Sequence, residues 1–223
     1  MTVDRRVVEQ PVQHRGRPNN ALERTAGSHS LAAAAHRGRC AEDRGGTVIR
    51  IGLLGADDAP ELFEAIVRSR ALHKPWITPV ATEAEIREYL SQPPDVRISY
   101  GIREDSGQLA GVVNINSVIR GAFQNGFLGY YAISPYEGHG FMRAGLIEVL
   151  DRAFGEHGLH RVEANIQPDN ARSVHLVRSL GFRLEGHSPR YLRISGEWKD
   201  HDRYALTVEE WRVSGGRTTS ESI

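Results

Sequence analysis

The rhythm of apolar and polar positions changes at residue 47. Beyond it, "TVIRIGLL" alternates with period two and predicts a strand, while "DDAPELFEAIVRSRAL" repeats Leu62, Phe63, Ile66 and Val67 at helical spacing. Asp57 or Asp58 stands as N-cap and Pro60 falls in the first turn. In "TEAEIREYL", Thr82 and Glu85 form a capping box that opens a short second helix. Three strands follow, "VRISYGIRE", "LAGVVNINSVI" and "GFLGYYAIS", the first two joined by the short link "DSGQ", so the economical arrangement is an antiparallel meander. A helix with Met142, Leu146, Val149, Leu150 and Ala153 on one face comes next, stopped by Gly155 and Gly158. The chain ends as the strand "HRVEANIQ", a helix over "PDNARSVHLVRSLGF" with Val174, Val177 and Leu180 inward, and two strands around "SGEW". That order predicts an α+β domain with one central, mostly antiparallel sheet.

Before residue 47 no period is sustained, and Tyr, Trp, Phe and Ile are absent. Residues 1–46 carry eight Arg against five Asp and Glu, and are expected to form a disordered extension, since they cannot bury enough apolar area to offset their ordering entropy. Two roles stay open for it: a basic arm that contacts a ribosome, or a tail without a role. The domain itself is expected over 47–213, with a short tail over 214–223.

The 223 residues suit one such domain, and the formal net charge of +0 gives no general pull toward nucleic acid or an anionic membrane. A single cysteine, Cys40, excludes an intrachain disulfide and a multi-cysteine zinc site, so no metal is expected. No run nears the roughly 20 apolar residues of a membrane span, and by elimination the chain reads as cytoplasmic and away from membranes.

The chemistry gathers at "YEGHGFM". Gly138 and Gly140 leave the N–H groups of residues 138 to 142 uncovered at a helix start, where unpaired donors and the dipole favour an anion such as a phosphate. A tight turn without a ligand accounts for the same glycines equally well. The stretch is neither a P-loop, lacking G-x-x-x-x-G-K-[ST], nor a dinucleotide fingerprint, since Arg143 takes the place of the third glycine.

Together, "YEGHGFMRAGLIEVLDRAF", "HRVEANIQPDNARSVHLVRSLGF", "RALHKPWI", "LGYYAISP" and "RYLRISGEWKDHDRYAL" resemble the GNAT superfamily of N-acetyltransferases, in particular the RimJ/RimL type that acetylates protein N-termini, ribosomal proteins among them. The resemblance runs from about Thr47 to Trp211 and implies a GNAT-like mixed sheet of about seven strands flanked by about four helices. It implies acetyl-CoA as acetyl donor, its pyrophosphate on the amides of Gly138, His139, Gly140, Phe141 and Met142, and its pantetheine arm along Tyr131, Ala132 and Ile133, with Asn170 and Ser173 in an N-x-x-S position. Glu137 departs from the Q/R-x-x-G-x-G/A signature by placing a carboxylate near a diphosphate. Val177 stands where many relatives carry a tyrosine acid, which leaves Ser173 or water to protonate the sulfur.

Glu163, Asn165 and Gln167 share one strand face, and Glu163 is the candidate general base, with an ion pair to Arg161 or Arg190 as its structural alternative. Asn170 is equally an ordinary N-cap, and Ser173 a solvent-side serine. Trp76 and Tyr191, with Trp198, are candidates for the acceptor cleft, or for packing. The expected acceptor is a protein N-terminus, with a small amine (an antibiotic or a polyamine) or a non-catalytic acyl-CoA-binding role as alternatives, in a monomer or homodimer.

Overall fold

A computed structural model describes residues 39–42, 48–78 and 82–215. Most of the expected extension, and with it the ribosome contact, lies outside the described residues, as does the tail beyond Gly215. Arg39–Glu42 differs from expectation: it forms a strand, β1, which lies antiparallel on β2 (Val48–Leu53) and covers an edge that would otherwise be open.

The remaining strands are β3 (Arg97–Arg103), β4 (Leu109–Ile119), β5 (Asn125–Ala132), β6 (Arg161–Ile166), β7 (Arg183–Ile194) and β8 (Glu197–Thr207). All eight form one sheet in the order β1-β2-β3-β4-β5-β6-β8-β7. Every described pairing is antiparallel except β5 with β6. The expected mixed sheet is present, one strand larger than anticipated because of β1.

Helices cover both faces. α1 (Ala59–Arg68), α2 (Arg70–His73) and α3 (Glu83–Leu90) precede β3; α4 (Phe141–Phe154) follows β5, α5 (Ala171–Ser179) follows β6, and α6 (Val208–Val213) follows β8. The one not expected, α6, has only 6 residues, too few to show a helical period, while α2 falls at the end of the helix expected over 57–72, which breaks at Ser69. The capping box opening α3 is made in both directions, Glu85 N–H to Thr82 Oγ1 at 3.2 Å and Thr82 N–H to Glu85 Oε2 at 3.1 Å. Asp58 does precede α1, but its carboxylate turns back to accept Gly55 N–H at 2.8 Å instead of capping forward.

Two cores result, one on each side of the sheet. Val112 joins Leu62, Ile66, Ile86 and Ile133 under α1 and α3, whereas Val113 joins Leu146, Val149, Val162 and Val177 under α4 and α5. Both valines are fully buried, each contributing roughly 1.5–3 kcal/mol. This two-sided burial explains why "LAGVV" reads as a continuous apolar run.

At the far edge a charge network joins three elements. Glu163 and Glu185 flank Arg161, and Arg183 bridges Glu185 to Glu210. Hydrogen bonds from Arg161, then the charges of Arg161 and Arg183, hold the Glu185 carboxyl down to about 2. Its unfolded value is about 4.3, so the stabilisation is present above that pH and is lost as pH falls through the folded value. We expect Glu185→Gln to cost about 1 kcal/mol at pH 7 after solvent screening, and roughly half of that at pH 3. Urea unfolding of both proteins at the two pH values checks this; an equal difference at both refutes it.

Candidate active site

The sheet opens in the middle. β5 and β6 pair only through Asn125 with Arg161, Gly126 with Val162 and Phe127 with Glu163, after which both strands continue unpaired with each other to Ala132 and Ile166. Ile133 N–H bonds Ala110 O, which makes Ala132 and Gly111 a pair without mutual hydrogen bonds. The N–H and C=O of Ala132, and by the period of two those of Tyr130, therefore point away from β4 into the opening.

The segment from α1 through Thr78 is fastened to both sides of this opening. On the β5 side, Ser69 Oγ accepts Ser134 N–H at 3.0 Å, Arg68 Nε donates to Ser134 O at 3.0 Å, and His73 Nε2 donates to Ala132 O at 2.8 Å. On the other side, Trp76 O accepts Gln167 Nε2 at 3.1 Å, and Thr78 Oγ1 accepts Ser195 N–H at 2.8 Å from the turn between β7 and β8. Burial lowers the pKa of His73, which keeps the ring neutral with its proton on Nε2, as a bond to a carbonyl requires.

The glycine loop has the expected form. Gly138 and Gly140 adopt φ of +83° and +84°, and Gly140 O accepts Ala144 N–H at 3.0 Å to begin the 14-residue α4. Gly138, His139 and Gly140 are exposed, and a side chain at Gly138 would find nothing within 4 Å, so the approach to these amides is open. Glu137 Oε2 is buried and without a partner beside them. Removing that charge is expected to help a diphosphate: Glu137→Gln should tighten CoA binding about threefold to tenfold, most visibly at low salt. Calorimetric titration with CoA reads this directly, and equal or weaker binding by the variant would count against it.

Across the opening, Asn170 caps α5, its Oδ1 accepting Ser173 N–H at 3.2 Å. Tyr130 donates from its hydroxyl to Ser173 O at 3.4 Å, which brings the first turn of α5 to the unpaired part of β5. Asn165 Nδ2 donates to the Tyr191 hydroxyl at 3.4 Å, and Asn165 Oδ1 is buried without a partner. Tyr191 thus reaches the free end of β6, whereas Trp198 is 61 % exposed near the start of β8. Trp76 meets the site through its carbonyl.

Glu163 stands apart from the open part of the ladder. It sits at the closed end of the β5–β6 ladder, opposite Phe127, with Oε1 held by Arg161 Nε at 3.0 Å and Asn125 Nδ2 at 3.3 Å. Paired to a guanidinium and 9 % exposed, Glu163 has the contacts of the structural alternative, an ion pair to Arg161.

On the α1/α3 face a chamber of about 190 Å³ borders the opening at Gly129, Tyr130 and Tyr131. Leu62 and Ile66 of α1 and Ile86 and Tyr89 of α3 form its walls, and Asn114 and Asn116 of β4 its floor. The chamber, His73 and Tyr130 were not anticipated from sequence. The pair of asparagines in "NIN" was the available signal, two polar residues on one face of an otherwise apolar strand. Among the described residues, no group of three His, Cys, Asp or Glu is placed to hold a metal, and no helix is long and apolar enough to cross a membrane.

A family model described as an acetyltransferase (GNAT) domain matches residues 49–183. The [ribosomal protein uS5]-alanine N-acetyltransferase of Escherichia coli K12 is 32% identical over 167 residues, covering 69% of this chain and 84% of that protein. Among solved structures, the ribosomal-protein-S5-alanine acetyltransferase of Vibrio fischeri superposes with TM-score 0.68 at 25% identity, covering 78% of this chain and 98% of the other. Mycobacterium smegmatis RimJ, solved in complex with CoA-disulfide, gives TM-score 0.66 at 26% identity over 77% and 90% of the two chains.

Proposed function

The chain belongs to the GNAT acetyltransferase family, and from that premise we propose that it carries acetyl from acetyl-CoA to the α-amine of a protein N-terminus, a ribosomal protein being the class that its relatives' names suggest. The observation that carries this reading is the opening between β5 and β6, whose unpaired main chain lies between an exposed glycine loop and a chamber.

Acetyl-CoA supplies a thioester carbonyl that a neutral amine can attack, with the sulfur as leaving group. The residues divide the work of holding it. The amides of Gly138 to Met142, at the positive end of α4, suit the diphosphate, and the outward main chain of Tyr130 and Ala132 suits the amide-bearing pantetheine arm. Of the Tyr131, Ala132 and Ile133 amides, the Ala132 N–H is the one that faces the opening, and it is positioned to meet the oxyanion. His73 fixes the following peptide plane through Ala132 O, acting as a positioning residue. Ser173 Oγ gives its proton to the departing sulfur and regains one from water. An α-amine, with a pKa of about 7.7–8.0, is already partly neutral near pH 7 and gives its proton to water, so no carboxylate base is required.

The test is acetyl-CoA-dependent thiol release with peptides of free N-terminus, the same peptides N-blocked but containing lysine, polyamines and aminoglycosides. Release with free N-termini alone supports the reading. Release with small amines alone assigns the protein to that acceptor class, and acetyl-CoA binding without release from any amine assigns a non-catalytic role.

A further inference from the structure

The chamber beside the opening has a definite electrostatic character. None of the eleven described residues that line it is Asp, Glu, Lys or Arg. The charge behind the wall is positive: Arg97 lies 3.5 Å above the Tyr89 ring and spends its donors on neutral groups, Nε on Asn116 Oδ1 at 2.8 Å and Nη1 on Tyr89 O at 3.4 Å. At the floor, Asn114 is 2 % exposed; its Nδ2 donates to Gly129 O at 3.4 Å, and its Oδ1 has no partner. A buried oxygen left in this condition has lost its hydration, a cost that a ligand N–H or O–H would recover.

We infer that this chamber selects acceptors by charge: it receives an uncharged first residue of the acceptor peptide, one of whose N–H or O–H groups bonds Asn114 Oδ1, and it rejects polyamines and cationic first residues. The inference rests on the reading of the protein as an α-amine acetyltransferase and adds the acceptor class. Taking a second ammonium or a guanidinium out of water costs several kcal/mol unless a carboxylate meets it, and here Arg97 adds repulsion instead. Size discriminates less, because a cavity of about 150 Å³ already admits a benzene ring, so neutral side chains from Ala to Met should all be accepted.

The experiment compares kcat/KM of the full chain for matched peptides beginning Ala, Ser or Met with those beginning Lys or Arg, and with spermidine. We expect a preference of at least about 100-fold for the neutral set. Asn114→Asp, equal in size, places a carboxylate on the floor and should shrink that preference tenfold or more. Thr78→Asp, at the exposed rim, keeps an oxygen for Ser195 N–H and should shrink it in the same direction without a buried change, should Asn114→Asp fail to fold. Equal use of neutral and cationic acceptors by the parent protein, or an unchanged preference in the folded variants, overturns the inference. The same comparison made as peptide binding to the CoA-loaded protein needs no turnover. Retained selectivity there, without acetylation of any amine, would refute the catalytic reading and leave the charge selection standing; binding ratios near one would refute the selection itself.

Discussion

Gly140→Pro is expected to weaken CoA binding by about 100-fold or more, the largest effect of any single substitution in the cofactor loop. Gly140 holds φ at +84°, whereas proline fixes φ near −65°, so the loop cannot keep its shape. Proline also deletes one of the N–H groups proposed to meet the diphosphate. Gly140→Ala separates the two contributions, since it keeps the donor and adds only the strain of a left-handed residue, about 1–2 kcal/mol, or roughly tenfold in affinity. Because Gly140 also precedes α4, thermal melting of each variant must accompany the titration. A folded Gly140→Pro protein that binds CoA as the parent does would remove the glycine loop from the cofactor site.

Ser173→Ala is expected to lower kcat by about 100-fold while leaving KM for acetyl-CoA within about threefold. The reasoning is positional: Asn170 and Tyr130 hold Ser173 through its main-chain N–H and C=O, so its hydroxyl is not needed to keep α5 in place. Loss of the hydroxyl should therefore remove protonation of the leaving sulfur and little else. A thioester with a more acidic leaving thiol should recover most of the lost rate. If kcat is unchanged, water serves as the acid and Ser173 returns to the solvent-side role; if KM rises in parallel with unchanged kcat, its contribution is to binding.

Local signals made much of this fold legible. Thr82 with Glu85, Gly140 before α4, Asn170 before α5 and Gly155 after α4 mark helix ends through single-residue chemistry, and each falls where the structure has one. The break at Ser69 that sets α2 apart was hidden because its role depends on contacts far along the chain: Ser69 reaches Ser134, and His73 reaches Ala132, 59 residues away. Glu163 shows the converse limit. Strand period correctly grouped it with Asn165, but only the register of β5 against β6 tells that Glu163 lies where the ladder is closed and Asn165 where it is open. The chamber depends on α1, α3 and two strands together, and no window of sequence contains it.

The opening has one more consequence, for the lifetime of the chain. Between its two antiparallel portions, β1 to β5 and β6 to β8, the sheet is stitched by only three residue pairs. A ligand that bonds the free edge of β5 substitutes for missing ladder, and by linkage it stabilises the native state by RT ln(1 + [L]/Kd). Catalysis and durability thus draw on the same unpaired main-chain groups. Protease resistance is therefore expected to rise when the acetyl donor is bound and to fall when it is withdrawn.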